Sequence, residues 1–238
     1  MGTRIFLAGA SGVIGRRLAV MLREAGHAVT GTTRSSGKAD ELRAIGIEPV
    51  VVDVFDAAAL ARTVAAAKPE VVIHQLTDLP RGLDPARMDD AIRRNARIRS
   101  EGTRHLVDAA VAAGARRMIA QSIAWAYAPG PEPHAEDDPL DLAAQGLRAI
   151  SVGGIVALER AVLDAPLDGI VLRYGQLYGP GTGADAPSGA SPVHVAAAAR
   201  AALCAVDRGR RGIYNIAEPN PHVAVDKART ALGWRPEG

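Results

Sequence analysis

Residues 9–15 read Gly-Ala-Ser-Gly-Val-Ile-Gly and lie between an apolar run, TRIFLAGA (3–10), and a stretch of helical period that begins near residue 13. Glycines at this spacing serve three needs: a tight strand-to-helix turn, a close approach of backbone to ligand, and close packing of helix on strand. The unpaired N–H groups at the start of the helix then face whatever lies over the turn, which suits a phosphate. Gly9, Ser11, Gly12, Val13, Ile14 and Gly15 are therefore candidate contacts to a pyrophosphate.

The rest of the chain repeats the strand-then-helix alternation. Strand-length apolar runs occur at 27–34, 48–54, 71–77, 116–123, 169–175 and 212–217. Helical patterns fall at 13–25, 38–45, 57–67, 86–113, 140–163 and 192–207, with one more short helix near the C-terminus. Continuously apolar strands alternating with helices predict a parallel sheet covered on both faces, a doubly wound Rossmann-like α/β sandwich. Two Pro- and Gly-rich stretches, 128–139 and 179–192, read as loops at carboxyl ends of strands, where such sheets bind ligands. The 238 residues fit one dinucleotide-binding domain over 1–238, with a small C-terminal substrate lobe from about 176 to 238.

Composition excludes several classes. A net charge of +2 with interspersed signs describes an ordinary surface and not a polyanion-binding one. The basic loop Arg208, Arg210, Arg211 reads as a solvated turn. Arg87, Arg93, Arg94, Arg97, Arg99 and Arg104 share a stretch with Asp89, Asp90 and Glu101, which argues against nucleic acid and leaves a solvated or homodimer-facing helix. The single cysteine, Cys204, lies in an apolar helical stretch and reads as a core residue in a reducing compartment. No segment approaches the roughly 18 apolar residues of a membrane span, and strand-like sequence from residue 3 leaves no room for a signal peptide, so a cytoplasmic location is expected. The six histidines are scattered without a ligand pair, so no metal site is expected.

The GxxGxxG spacing resembles the short-chain dehydrogenase/reductase superfamily, in its extended or atypical epimerase/dehydratase branch, and the resemblance runs over nearly the whole chain. VVVDV places Asp53, with Val54 beside it, where the family keeps an acid near the adenine. VVIHQLT places Gln75, Leu76 and Thr77 along the cofactor, and Asn95 ahead of EGTRHLVDAA matches another family segment. LRYGQLYGPGT, with Tyr174, Gly175 and Leu177, resembles the segment that closes over the nicotinamide.

Charge decides which dinucleotide is expected. An NAD site usually has an acid about 20 residues past the glycine turn, on the ribose 2′-hydroxyl. Here that place reads GTTRSSG, with no acid between Glu24 and Asp40. The Arg34 guanidinium, beside Ser35, matches a 2′-phosphate bidentately; the other reading is that Arg34 stacks on adenine. NADP(H) is expected over NAD(H).

Catalytic residues are harder to place. The resemblance implies a Tyr and, four residues later, a Lys that lowers its pKa, followed after four more by a Glu. With Glu159 setting the register, the Tyr position holds Ser151 and the Lys position Ile155. Counting four back from Tyr127 for the family's strand-end hydroxyl reaches Ile123, with Ser122 one place earlier, on the opposite strand face. The aromatics Trp125, Tyr127, Tyr174 and Tyr178 gather at two strand ends in a chain with 3% aromatic residues, which favours a pocket; strand-to-loop packing by Tyr174 and Tyr178 is the competing reading. The substrate region is short, with the family's HVDDA replaced by His194, Val195, Ala196 and Ala197.

The resemblance thus implies an NADP(H)-binding oxidoreductase or epimerase-like enzyme for a small carbonyl or sugar-derived substrate, with Tyr127 or Ser122 donating the proton. The alternative is a dinucleotide-binding sensor or regulator that does not catalyse. The helical stretch LRAISVGGIVALER (147–160) carries adjacent glycines, each costing about 1 kcal/mol against alanine in a helix interior. They fall between the Tyr and Lys positions, and either ligand space or packing would account for them.

Overall fold

The computed structural model describes residues 2–237. Its first half runs β1 (Arg4–Ala8), α1 (Val13–Glu24), β2 (Ala28–Thr33), α2 (Ser36–Ala44), β3 (Glu48–Val51), α3 (Ala57–Ala67), β4 (Val71–His74), α4 (Met88–Arg97) and α5 (Thr103–Ala112). Then follow β5 (Arg117–Ile123), α6 (Gly146–Asp164), β6 (Asp168–Tyr174), β7 (Gln176–Tyr178), β8 (Pro192–His194), α7 (Val195–Asp207), β9 (Gly212–Ile216) and α8 (Asp226–Ala231).

Seven strands form one parallel sheet in the order β3-β2-β1-β4-β5-β6-β9. This is the doubly wound Rossmann-like sheet that the alternation predicts. Side chains alternate across it. Ile5 and Leu7 join α1, α7 and Trp234 in one apolar cluster, while Phe6 and Ala8 join α3, α5 and α6 in the other. With both faces covered, the strands must be continuously apolar. The order reverses between β1 and β4, which opens a crevice at their carboxyl ends.

Departures from the sequence pattern have local causes. The stretch 86–113 divides: a π-helical turn, Ile98–Gly102, joins α4 to α5, and there a Cβ on Gly102 would stand 3.0 Å from Val54 Cγ1. Helix α6 starts at Gly146, not near 140, because Leu140 bridges to Tyr127 instead. The parallel pair β7–β8 was not legible, being three residues each. It depends on Gly175, where a Cβ would lie 1.8 Å from the Ser191 carbonyl oxygen. The basic loop is not simply solvated. Arg211 donates to the carbonyls of Leu163, Ala165 and Leu167 at the end of α6, and Arg208 donates to Leu232 O. Cys204 is half-buried against the main core. Trp234 is fully buried and donates its indole N–H to Ala197 O at 2.9 Å. No described helix is long and apolar enough to cross a membrane.

Candidate functional site

A cavity of about 480 Å³ opens at the carboxyl ends of β1, β2 and β4. Of the residues singled out from sequence, Gly9, Ser11, Gly12, Arg34, Ser35, Asp53, Val54, Gln75, Leu76 and Thr77 line it. The wall also includes Thr32, Thr33, Lys38, Phe55, Leu60 and Ile98, which the sequence reading missed.

The glycine turn is built by close approach. Gly9 has φ +87°, and a Cβ there would meet the Gln75 carbonyl oxygen at 2.7 Å. On Gly15 a Cβ would meet Gly9 O at 2.1 Å, so this glycine lets helix and turn touch. Gly12 is the N-cap of α1 and no side chain caps that helix, leaving its first N–H groups to a ligand. Two threonines of β2 hold the turn: Gly9 N donates to Thr32 Oγ1 and Ser11 Oγ to Thr33 Oγ1, both at 3.1 Å. Val13, Ile14 and Gly15 lie outside the cavity wall; Ile14 is buried in the core beneath the turn, and Val13 is partly exposed toward Gly181.

One end of the cavity is cationic. Arg34 and Lys38 contribute its positive charge and Asp53 its single carboxylate. Asp53 Oδ1 accepts from Phe55 N at 2.9 Å, closing its own loop. Lys38 sits in the first turn of α2, four residues past Arg34, and this spacing was the available signal for it. Arg34 pairs with Asp78 at 3.3 Å, and Arg94 holds the other Asp78 oxygen at 3.0 Å. Asn95 is buried and does not line the cavity. Its Oδ1 accepts from Asp78 N at 3.1 Å and its Nδ2 donates to Ala91 O, so it fixes the loop after β4.

The same loop is set from below by His74. This fully buried imidazole accepts at Nδ1 from Leu76 N at 3.2 Å and meets Thr103 Oγ1 at 3.0 Å through Nε2. Burial, aided by the Arg99 charge, pulls its pKa down to about 4. It is therefore neutral and a fixed acceptor for the Leu76 backbone.

The residues expected to do catalysis stand elsewhere. Ser122 is 2% exposed and donates to Glu159 Oε1 at 2.8 Å. Glu159 is also held by Arg173, at 2.9 Å from Nε and 2.7 Å from Nη2, and the ion pair is buried. The Tyr127 ring stacks on His134 and lies under the Arg173 guanidinium, while its hydroxyl donates to Asn215 Oδ1 at 2.7 Å. Burial pushes that phenol above its ordinary pKa. Neither residue lines the cavity. Both hydroxyls, the expected proton donors, are engaged in a network that pins loop 128–139 over β5, β6 and β9.

At the register position for Lys, Ile155 is fully buried with Ile123, Ala126 and Val152. Ser151 is half-buried. Gly154 packs against α4, where its Cβ would meet Ala96 Cα at 2.8 Å, whereas a Cβ on Gly153 would meet nothing within 4 Å. Only one of the two glycines thus has a packing reason. Tyr174 is buried in the main core, and its hydroxyl accepts from Gln75 Nε2 at 3.2 Å. Gly175 and Leu177 belong to the packing around β7 and not to the cavity wall. Tyr178 donates to Glu218 Oε1 at 2.7 Å beside a second, shallower cavity of about 510 Å³.

A 3-diazoavenalumate denitrifying reductase of a Streptomyces species is 37% identical over 98% of this chain and 96% of its own length. That alignment spans 297 positions, more than this chain's 238 residues, so the relative carries residues that this chain lacks. A dTDP-4-dehydrorhamnose reductase of Streptomyces griseus is 31% identical over 75% of this chain and 51% of its own length. Among solved structures, the UDP-glucose 4-epimerase of Thermotoga maritima superposes with a TM-score of 0.78 at 20% identity, over 98% of this chain and 93% of that one. The family model of the NAD dependent epimerase/dehydratase family matches residues 5–206, and this chain, with its glycine turn at the head of a parallel seven-stranded sheet, belongs to that family.

Proposed function

We propose that the chain is an NADPH-dependent reductase that delivers hydride to a small electrophile whose reduction needs no tyrosine proton donor. One observation carries this reading: a well-formed nucleotide cavity coexists with an apolar seal, Ile155 among Ile123, Ala126 and Val152, where the resemblance calls for lysine. With Ser151 at the tyrosine position and the Ser122 and Tyr127 hydroxyls engaged in the buried network, the reading assigns no protein proton donor.

The residues present fit a dinucleotide. The Gly9–Gly15 turn would take the pyrophosphate on the open end of α1. Arg34, Lys38 and Ser35 would take a 2′-phosphate, Arg34 through bidentate bonds. When bound, NADPH supplies the hydride.

A carbonyl substrate leaves an alkoxide that must be protonated. An aryl diazonium does not: the ring carbon gains hydrogen, the C–N bond breaks, and its electron pair leaves with N2 as the dinucleotide is oxidised. The Streptomyces relative is named for denitrifying a diazo compound, which supports this substrate class over the carbonyl or sugar expected from the family resemblance.

The test is incubation with an aryl diazonium and NADPH deuterated at the transferring C4 position. The expected result is one N2 released per NADPH oxidised, with deuterium on the former C–N carbon. Tight NADPH binding without turnover of diazonium or carbonyl substrates would instead favour the non-catalytic sensor.

A further inference from the structure

The second cavity, of about 510 Å³, lies at the amino end of α7 and shares no wall residue with the cavity at the glycine turn. Its polar groups are fixed by the fold. Glu218 N donates to Pro192 O at 2.9 Å, while Glu218 Oε1 accepts from the Tyr178 hydroxyl at 2.7 Å and from His194 N at 3.0 Å. The bond to Glu218 holds the Tyr178 phenol above its ordinary pKa, so it keeps its proton and donates. On the other side, Arg200 Nη2 donates to Pro236 O at 2.7 Å.

These anchors leave two opposite charges facing one space without pairing. Among the described residues, nothing donates to Glu218 Oε2 and no carboxylate pairs with Arg200. The single bond to Pro236 O uses one N–H of Nη2, so one edge of the guanidinium keeps two N–H groups, the fork that a carboxylate fits. The sequence accounts for the open pairing. One turn before Arg200 on α7, in the i, i+4 relation that an acid would use, stands Ala196, which also lines the cavity. Its small side chain removes a partner for Arg200 and makes room for a ligand. Pro219, Pro236 and the Tyr178 and His194 rings, which meet edge-on at 5.2 Å, supply the apolar part of the wall.

We propose that this cavity binds a small zwitterion, an α-amino acid with an apolar side chain, its carboxylate on Arg200 and its ammonium on Glu218 Oε2. A simple anion would face Glu218 and Glu237 across the same space, and a simple cation would face Arg200. A ligand that carries both charges complements both walls. The two prolines and the Tyr178 ring would then flank its side chain. The inference is independent of which dinucleotide occupies the first cavity.

Calorimetric titration of the full chain with L-phenylalanine tests it. Binding at millimolar concentration is expected, with an affinity unchanged by saturating NADPH. 3-Phenylpropionate, which lacks the ammonium, and phenethylamine, which lacks the carboxylate, are each expected to bind about 10- to 100-fold more weakly, the loss of a charge-assisted contact. Arg200→Gln keeps a donor for Pro236 O, and Glu218→Gln keeps an acceptor for Tyr178 and His194. Each is expected to weaken L-phenylalanine by the same factor with Tm close to that of the parent. Should either fail to fold, Ala196→Leu, which fills the cavity from an exposed helix face with a good helix former, is expected to abolish binding in a folded protein. Absence of L-phenylalanine binding, analogues that bind as well as the amino acid, or affinity unchanged in the variants would overturn the proposal. Competition by NADPH would also overturn it, since the amino acid would then occupy the first cavity.

Discussion

Arg34 and Asp78 form an ion pair at 3.3 Å on the rim of the cavity at the glycine turn, with the Asp78 backbone fixed by Asn95. The Arg34 side chain is 54% exposed, and pairs of this kind contribute about 0–1 kcal/mol. A 2′-phosphate can therefore draw the guanidinium away at small cost, and Asp78 keeps Arg94 as its partner. Asp78→Asn is expected to tighten NADPH about two- to fivefold and to leave NADH unchanged. Arg34→Ala is expected to weaken NADPH about 10- to 100-fold, the worth of charge-assisted bonds, with little effect on NADH. Calorimetric titration of both nucleotides checks this. Equal changes for NADPH and NADH in Arg34→Ala would remove the 2′-phosphate role.

The ion pair of Glu159 with Arg173 is buried on both sides, and here the expected effect is on folding. Removing one partner of a buried pair strands the other charge, at about 3–5 kcal/mol. Glu159→Ala is expected to lose that much in urea denaturation. Ser122→Ala should lose only about 1 kcal/mol, one hydrogen bond to a network that remains paired. Tyr127→Phe leaves the buried Asn215 Oδ1 without its donor and should cost about 1–3 kcal/mol, with kcat within twofold of the parent. A tenfold drop in kcat at unchanged stability would show instead that the Tyr127 hydroxyl takes part in turnover.

How far the sequence announced this site depends on the range over which each contact is made. The glycine turn and the Gln75–Thr77 segment were legible because each is a local run at a strand end, and local periodicity places strand ends well. Lys38 was missed because its position depends on α2 beginning at Ser36, a boundary that the pattern had set at residue 38. The fate of Ser122 was hidden for a different reason. Its acceptor, Glu159, is 37 residues away on another element, and nothing in either segment marks the pairing. The same holds for Tyr127 and Asn215, 88 residues apart. Candidate hydroxyls could be named from sequence, but whether they were free could not.

His74 gives the protein an acid sensitivity with a definite sign. Its folded pKa is depressed to about 4 from 6.5, chiefly by burial. Between those values the unfolded chain binds more protons than the folded one, so stability falls as pH drops from about 6.5 toward 4. The total is about 3 kcal/mol, and above pH 7 the group contributes no slope. Protonation would also turn the Nδ1 acceptor of Leu76 N into a donor, loosening the cavity wall. His74→Asn is expected to flatten the stability profile between pH 4 and 6.5 when urea midpoints are compared across pH. A profile as steep as the parent's would assign the acid sensitivity to another group.

The adjacent glycines of α6 are expected to respond in opposite directions to one substitution. At Gly153 a methyl group meets open space, so Gly153→Ala gains helix propensity alone, about 0.5–1 kcal/mol of stability. At Gly154 the same methyl would sit 2.8 Å from Ala96 Cα and 3.2 Å from Ala96 Cβ. Backbone cannot yield as a flexible side chain can, so α4 must move away from α6. That shift strains a packed interface by about 1–3 kcal/mol, more than the propensity returns. It also displaces α4, which carries Asn95 and Arg94, and through them the Asp78 loop at the cavity rim. Gly154→Ala is therefore expected to lower Tm and to weaken NADPH binding together, whereas Gly153→Ala raises Tm and leaves binding unchanged. If Gly153→Ala weakens binding without loss of stability, that glycine serves a ligand after all.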